Sequence, residues 1–451
     1  VQSLGEELIV RPKTGAIALM TTTRTVFAFS NRVMNDNYLR IALQRDSAGK
    51  YKTLGEAVQA AKNFTYQNFG DVANNRKFTL LGDPAMTLAF PKLQVTATTI
   101  NGVDLAADAD TLQAMDMVNL QGEVKDKNGV LLNNFNGTVY LSLFDKPQTV
   151  TTLGNDPTSF KVPFSVQTGV LFKGKATVTA GKFLFNFKLP KDINYQYGKG
   201  KISLYAQNGA DDGGGFSNNI IIGGLSTNAS SDREGPTINA YLNNEQFVGG
   251  SITGSTPILI LKLTDSSGIN TGGTGIGHDL VATLDNDNRT YFVLNSFYES
   301  ELDNYQKGSL RFQLPELAPG RHSLKIKAWD AVNNSSEHTL EFIVNNKNKL
   351  VIDHVLNYPN PFTTKTAFWF EHNQSGEDLK VKVEVFTVTG KLVKTLQQTI
   401  NNSGNRSSDL EWDGRDDLGD KVGRGVYVYR LQVIAPNGKK ASMLQKLMIL
   451  R

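Results

Sequence analysis

The 451-residue chain contains no cysteine. Disulfide staples, thiolate metal sites and a cysteine nucleophile are therefore excluded within these residues. No run of about 18 apolar residues occurs, so no segment reads as a membrane-spanning helix. Histidine is scarce: His278, His322, His338, His354 and His372 are the full set. None stands in an HExxH pattern, and neither a Walker loop nor G-x-S-x-G is present. A histidine without a nucleophile or a second ligand near it reads as structural. Charge is nearly balanced, 47 basic against 43 acidic residues for a net +4. No Lys/Arg cluster of the kind that grips nucleic acid stands out, and nucleic acid is not expected as a partner.

What is present is glycine, 41 residues of it, with abundant Asn, Thr and Val. That composition reads as a mostly β protein of three or four domains. Residues 1–91 are the α/β exception. Ala16–Met20 is a short apolar run that suits a strand buried on both faces of a parallel sheet. A helical pattern covers Tyr38–Leu43, and Thr53-Leu-Gly-Glu56 is a capping box that opens another helix. Phe78–Leu81 reads as a further strand. The first ten residues lack the basic and apolar parts of a signal peptide and begin in mid-pattern, as if a longer chain preceded them.

From Leu93 the period becomes two. Phe183, Phe185, Phe187 and Leu189 fall on one face, with Lys182, Asn186 and Lys188 opposite, which is the alternation of a β-sandwich strand. Polar linkers at 226–234 and 345–348 divide the β region into sandwiches at 92–228, 235–346 and 350–451. In the last, Val381, Val383 and Val385 alternate with Lys382, Glu384 and Phe386. Pro436-Asn437-Gly438 joins Val426–Val433 to Ala441–Leu450 as a hairpin.

Two features invite chemistry. The glycine-rich stretch Asp265–Asp279 lacks the following helix that a phosphate cradle needs, because Leu280–Leu284 reads as a strand. Its carboxylates offer hard oxygens instead. Asp265, Asp279, Asp285 and Asp287 are candidate ligands of a structural calcium ion, against the competing reading of solvated turn carboxylates. Tyr427, Tyr429 and Trp369 read as core or cross-strand packing rather than as a sugar platform.

Gly15–Arg24, Leu54–Asn63 and Arg76–Ala85 resemble the end of a gingipain-type cysteine peptidase domain of family C25. The resemblance implies a caspase-like fold whose Cys and His lie upstream of Val1, so this chain would carry no catalytic residue. Asp265–Asp279 and Trp329–Asn334 are similar to the middle β domains of the family's type IX secretion sortases. The segment Leu356-Asn-Tyr-Pro-Asn-Pro-Phe362, with Trp412–Asp416, Gly425–Tyr429 and Lys446–Arg451, resembles a type IX C-terminal sorting domain. Pro359 and Pro361 suit a strand entry kept off a central ladder position.

The implied activity is removal of sorting domains from type IX cargo proteins and attachment of that cargo to lipopolysaccharide at the cell surface. The implied anchor is a PorV-like β-barrel partner in the outer membrane. For docking on it the resemblance points to the terminal hairpin, with Met443, Leu444, Lys446, Leu447, Met448, Ile449 and Leu450 as candidate contacts, since Leu447-Met448-Ile449-Leu450 is apolar on both faces of the strand. Two other readings remain: a gingipain-like protease exported as cargo, and a non-enzymatic adhesin of stacked sandwiches.

Overall fold

The computed structural model describes residues 4–11, 15–46, 49–107, 110–227, 232–272, 275, 277–287, 289–345, 350–401 and 404–450. Parts of both expected linkers, 228–231 and 346–348, and of the glycine-rich loop, 273, 274 and 276, lie outside them. The chain divides into two compact units. One is Val1–Gln94 with Asp126–Val130, and the other is Val95–Lys125 with Leu131–Arg451.

The first unit is α/β. Helix Leu54–Phe69 starts at the expected capping box: Glu56 N donates to Thr53 Oγ1 at 3.2 Å, and Thr53 N donates to Glu56 Oε2 at 2.9 Å. Such a cap is worth about 1 kcal/mol. The helix stops at Gly70, whose φ of 65° is a left-handed conformation that glycine takes without strain. Its Leu54, Ala57, Val58 and Ala61 are buried. Helix Ala28–Ala42 packs on it through Met34, and buried Asn37 Nδ2 donates to Thr65 Oγ1 at 2.9 Å. That helix extends well before Tyr38, since Asn31, Arg32, Asn35 and Asp36 interrupt the apolar period from which it was read.

The strand expected at Ala16–Met20 instead covers Leu19–Thr22, and the pairing differs from the parallel sheet foreseen. Leu19–Thr22 runs antiparallel to Phe78–Leu81, with Leu19 opposite Leu81 and Thr22 opposite Phe78. All four of its residues are half-buried. An apolar run signals burial but carries no information on strand direction. Beside the pair lies a cleft of about 760 Å³, lined among others by Leu19, Met20, Met34, Leu54, Phe78 and Leu80.

The second unit is β throughout, as its two-residue period requires. Its first part is an eight-stranded sheet of order Val170–Val178, Gly137–Phe144, Lys201–Gln207, Asp212–Ser217, Leu93–Ile100, Met117–Lys125 and Lys182–Lys188, with Val103–Asp104 on its flank. A three-stranded sheet, in which Ile220–Leu225 runs parallel to Asp110–Ala114, accompanies it. The face read from the sequence is the core face: Phe183, Phe185, Phe187 and Leu189 are all buried, and Phe187 stacks on Phe172 at 3.9 Å.

The next part pairs a four-stranded sheet (Thr237–Leu242, Ile258–Thr264, Asn304–Gln313, Glu299–Glu301) with a five-stranded one centred on Gly320–Trp329 and Ser335–Val344. Leu259, Leu261, Leu263, Leu324, Ile326 and Phe342 fill its core. The last part pairs Ile352–Tyr358, Thr366–His372 and Arg406–Trp412 with a sheet of Leu392–Asn401, Asp378–Thr387, Gly425–Ile434 and Lys440–Ile449. Val381, Val383 and Val385 are buried there. Between them Glu384 is held below the usual carboxylate range by Lys382 and Arg430. Tyr429 lies in the core edge-on to Phe368, and Tyr427 donates its hydroxyl to Gly423 O.

Candidate functional site

Strand Ile258–Thr264 ends at Asp265, whose Oδ1 accepts from Ser267 N at 2.7 Å and so turns the chain back. The returning loop adds to Gly320–Trp329: Ile269 bridges Asp330, Asn270 N donates to Trp329 O, and Ala331 N donates to Gly268 O. The two stretches Asp265–Asp279 and Trp329–Asn334 thus meet in space. Asp330 is itself pinned, with Oδ1 accepting from Val332 N and Asn334 N and Oδ2 from Asn334 Nδ2. Asp232 Oδ2 accepts from the hydroxyls of Ser266 and Ser267, at 2.8 and 2.6 Å. One oxygen of each of Asp232, Asp265 and Asp330 lies within 4.8 Å of the others.

Asp265 and Asp330 are buried, and neither is ion-paired to a cation among the described residues. Burial, with the charges of Asp330 and Asp232 added, pushes the Asp265 carboxyl up to about 6. Burial likewise raises Asp330, whereas the Ser267 hydroxyl holds Asp232 low. Three convergent carboxylates can share a proton, and they are also the hard donor type that Ca²⁺ takes.

This is not the ligand set expected from the sequence. Asp285 and Asp287 lie beyond strand Val281–Leu284, whose four residues span about 13 Å. Asp285 binds His322 Nδ1 at 2.8 Å and Ser323 N at 2.9 Å, and Asp287 holds the guanidinium of Arg289. Asp279 stands half-buried in the turn before that strand, outside the convergent group. Of the four, Asp265 alone is in the cluster.

A second polar centre lies beside it. Asp192 accepts from Asn333 Nδ2 at 2.7 Å and Asn270 Nδ2 at 3.1 Å, and His278 Nδ1 approaches it at 2.5 Å. The His278 ring lies tilted against Trp329, with ring centroids 4.1 Å apart. Lys191 N donates to Ala331 O, so the first sandwich is tied to the second at this point. His322 is held between Asp285 and Ala318 O, His354 meets Glu371, and buried His372 is lowered to about 4 by desolvation. His338 lies on strand Ser335–Val344.

The terminal strand Lys440–Ile449 pairs along its whole length with Gly425–Ile434, from Ile434 opposite Lys440 to Gly425 opposite Ile449. Alternation sorts the seven candidate docking residues. Leu447 and Ile449 are core and Met443 packs against it, while Leu444, Lys446, Met448 and Leu450 point outward. The outer edge is partly closed by the Asn-Pro-Phe turn, where Phe362 N donates to Met448 O and Leu450 N donates to Phe362 O. Asn360 adds side-chain bonds to Lys446 O and Met448 N.

Residues 1–89 match the family model of peptidase family C25. Among solved structures, the chain is 30% identical to dimeric latent PorU from Porphyromonas gingivalis. That similarity covers 96% of this chain and 41% of that one, with a TM-score of 0.38. A 1.5-MDa bacterial ice-binding adhesin is 11% identical over 80% of this chain and 98% of its own, with a TM-score of 0.17. No curated protein matches the chain.

Proposed function

We propose, on the premise that residues 1–89 are a segment of peptidase family C25, that the chain is the scaffold and docking portion of a cell-surface type IX sortase. The family match at residues 1–89 carries this reading, taken with the complete lack of cysteine. A C25 enzyme works by thiolate attack with a histidine base. With no thiol here, the nucleophile belongs to sequence outside these 451 residues. The open cleft beside Leu19–Thr22, lined by Met20, Leu39 and Leu80 together with Asn31, Arg32 and Asn35, is a surface on which further elements of an α/β domain would pack.

In this account 1–91 is part of the peptidase domain, 92–228 and 235–346 are sandwich spacers, and 350–451 is the sorting domain. The enzyme cleaves the sorting domain from exported cargo and joins the cargo to lipopolysaccharide. The outward residues Leu444, Lys446, Met448 and Leu450 of the terminal strand meet an outer-membrane β-barrel. Disrupting the gene in its host tests the reading through the intact mass of exported cargo. Cargo should keep its sorting domain and lack the glycolipid; cargo processed as in the parent strain would refute the sortase role.

A further inference from the structure

Strands Gln148–Thr151 and Pro163–Val166 form a two-stranded sheet that pairs with no other sheet among the described residues. Val150 is opposite Phe164 and Gln148 opposite Val166, and Thr152 N donates to Val162 O in the same register. Alternation therefore puts Val162, Phe164 and Val166 on one face together with Val150, and Phe160 follows two residues before Val162 where the hairpin opens into its tip. Lys161, Pro163 and Ser165 take the other. This apolar stripe is not core: Phe160 is 86% exposed, Val162 53% and Phe164 48%, with Leu153 at the tip 77% exposed. A free hairpin with so much open apolar surface is marginal by itself and has a use only when something covers that face.

Charge identifies the cover. The near-balanced total conceals a local excess, because Phe144–Ile202 carries nine lysines against three aspartates, with no arginine or glutamate. Lys161 lies in the hairpin, Lys173 on the adjoining strand Val170–Val178, and Lys199 and Lys201 on strands beside its base. None of these four has an acidic partner among the described residues. The base is fixed by Lys146 Nζ, which binds Asp145 Oδ1 and the carbonyls of Asn194 and Ile222. That contact sets exposed Tyr195 and Tyr197 next to it. An apolar ribbon, flanked by tyrosines and unpaired lysines, has the makeup of a segment that rests in a lipid interface.

We propose that hairpin 148–166 inserts Phe160 and Phe164 into an anionic lipid surface, a contact separate from the terminal strand and independent of the sortase reading. The test is co-sedimentation of the full chain with vesicles of phosphatidylcholine and phosphatidylglycerol, at about three to one, and with phosphatidylcholine alone. The chain should pellet with the anionic vesicles. Raising sodium chloride from about 0.1 M to about 0.5 M should weaken this. Phe160→Asp and Phe164→Asp should each weaken it about tenfold or more, with thermal unfolding unchanged because both sites are exposed. If either variant unfolds early, the pair Lys161→Glu and Lys199→Glu should give the same loss. Failure to bind anionic vesicles, or variants that bind like the parent, overturns the proposal. So does binding that only an added acidic protein elicits.

Discussion

Asp265 is the residue where burial and charge oppose each other most clearly. Its carboxyl is raised to about 6, first by desolvation and then by Asp330 and Asp232. A carboxyl whose folded pKa exceeds its unfolded value binds its proton more tightly in the folded state. Its contribution to stability is therefore present below about pH 4 and is lost as pH rises through 6. In EDTA, Asp265→Asn should stabilise the protein at pH 7 by about 1–3 kcal/mol and leave it unchanged near pH 4. Denaturant melts at the two pH values check this, and an equal effect at both would contradict it.

His372 shifts in the other direction, lowered to about 4 by burial. The unfolded chain then takes up the proton first, so stability conferred above about pH 6.5 is lost as pH falls towards 4. The His372 ring resonances in an NMR titration should not move until the pH nears 4. At this scale the sequence was half legible. Asp265 was identified as a candidate ligand, but Asp232 read as linker and Asp192 was not singled out. Nothing local says that a residue 33 positions away will face the same point. The Trp329–Asn334 stretch was noticed as a motif, and its Asp330 was the one further signal available.

The terminal strand shows how far alternation reaches. Leu447-Met448-Ile449-Leu450 is apolar at every position, so the sequence could not say which set was core. Pairing with Gly425–Ile434 decides it, burying Leu447 and Ile449 and exposing Leu444 and Leu450. Leu447→Ala should cost about 2–5 kcal/mol in chemical denaturation, as core truncations do. Leu444→Ala should change stability by no more than about 0.5 kcal/mol. If docking uses the outward set, Leu444→Asp with Met448→Asp should release the native protein from the cell surface without changing its melt. Retention in normal amount would remove these residues from the docking surface.

Elements with a strict period were readable in advance, among them Lys182–Lys188, Leu54–Phe69 and the final hairpin. Leu19–Thr22 was not, because an apolar run carries neither its partner nor its direction. Hairpin 148–166 was missed for a different reason: its apolar residues look like core until their exposure is known.

For the whole molecule, the α/β first unit and the β second unit follow from the change of period near Leu93, which composition and spacing already show. Function is less legible, since the chemistry of a C25 peptidase needs a thiol that these residues lack. The isolated chain should accordingly show no peptidase turnover and no labelling by thiol-directed inhibitors. The central claim is that this sequence serves a cysteine peptidase whose nucleophile lies outside it. Its most direct test is labelling the native protein in its host with a cysteine-peptidase activity probe, followed by intact mass and peptide mapping. The account predicts a labelled polypeptide heavier than 49.4 kDa, with the label on a cysteine peptide outside these 451 residues. An unlabelled native protein of 49.4 kDa would contradict it.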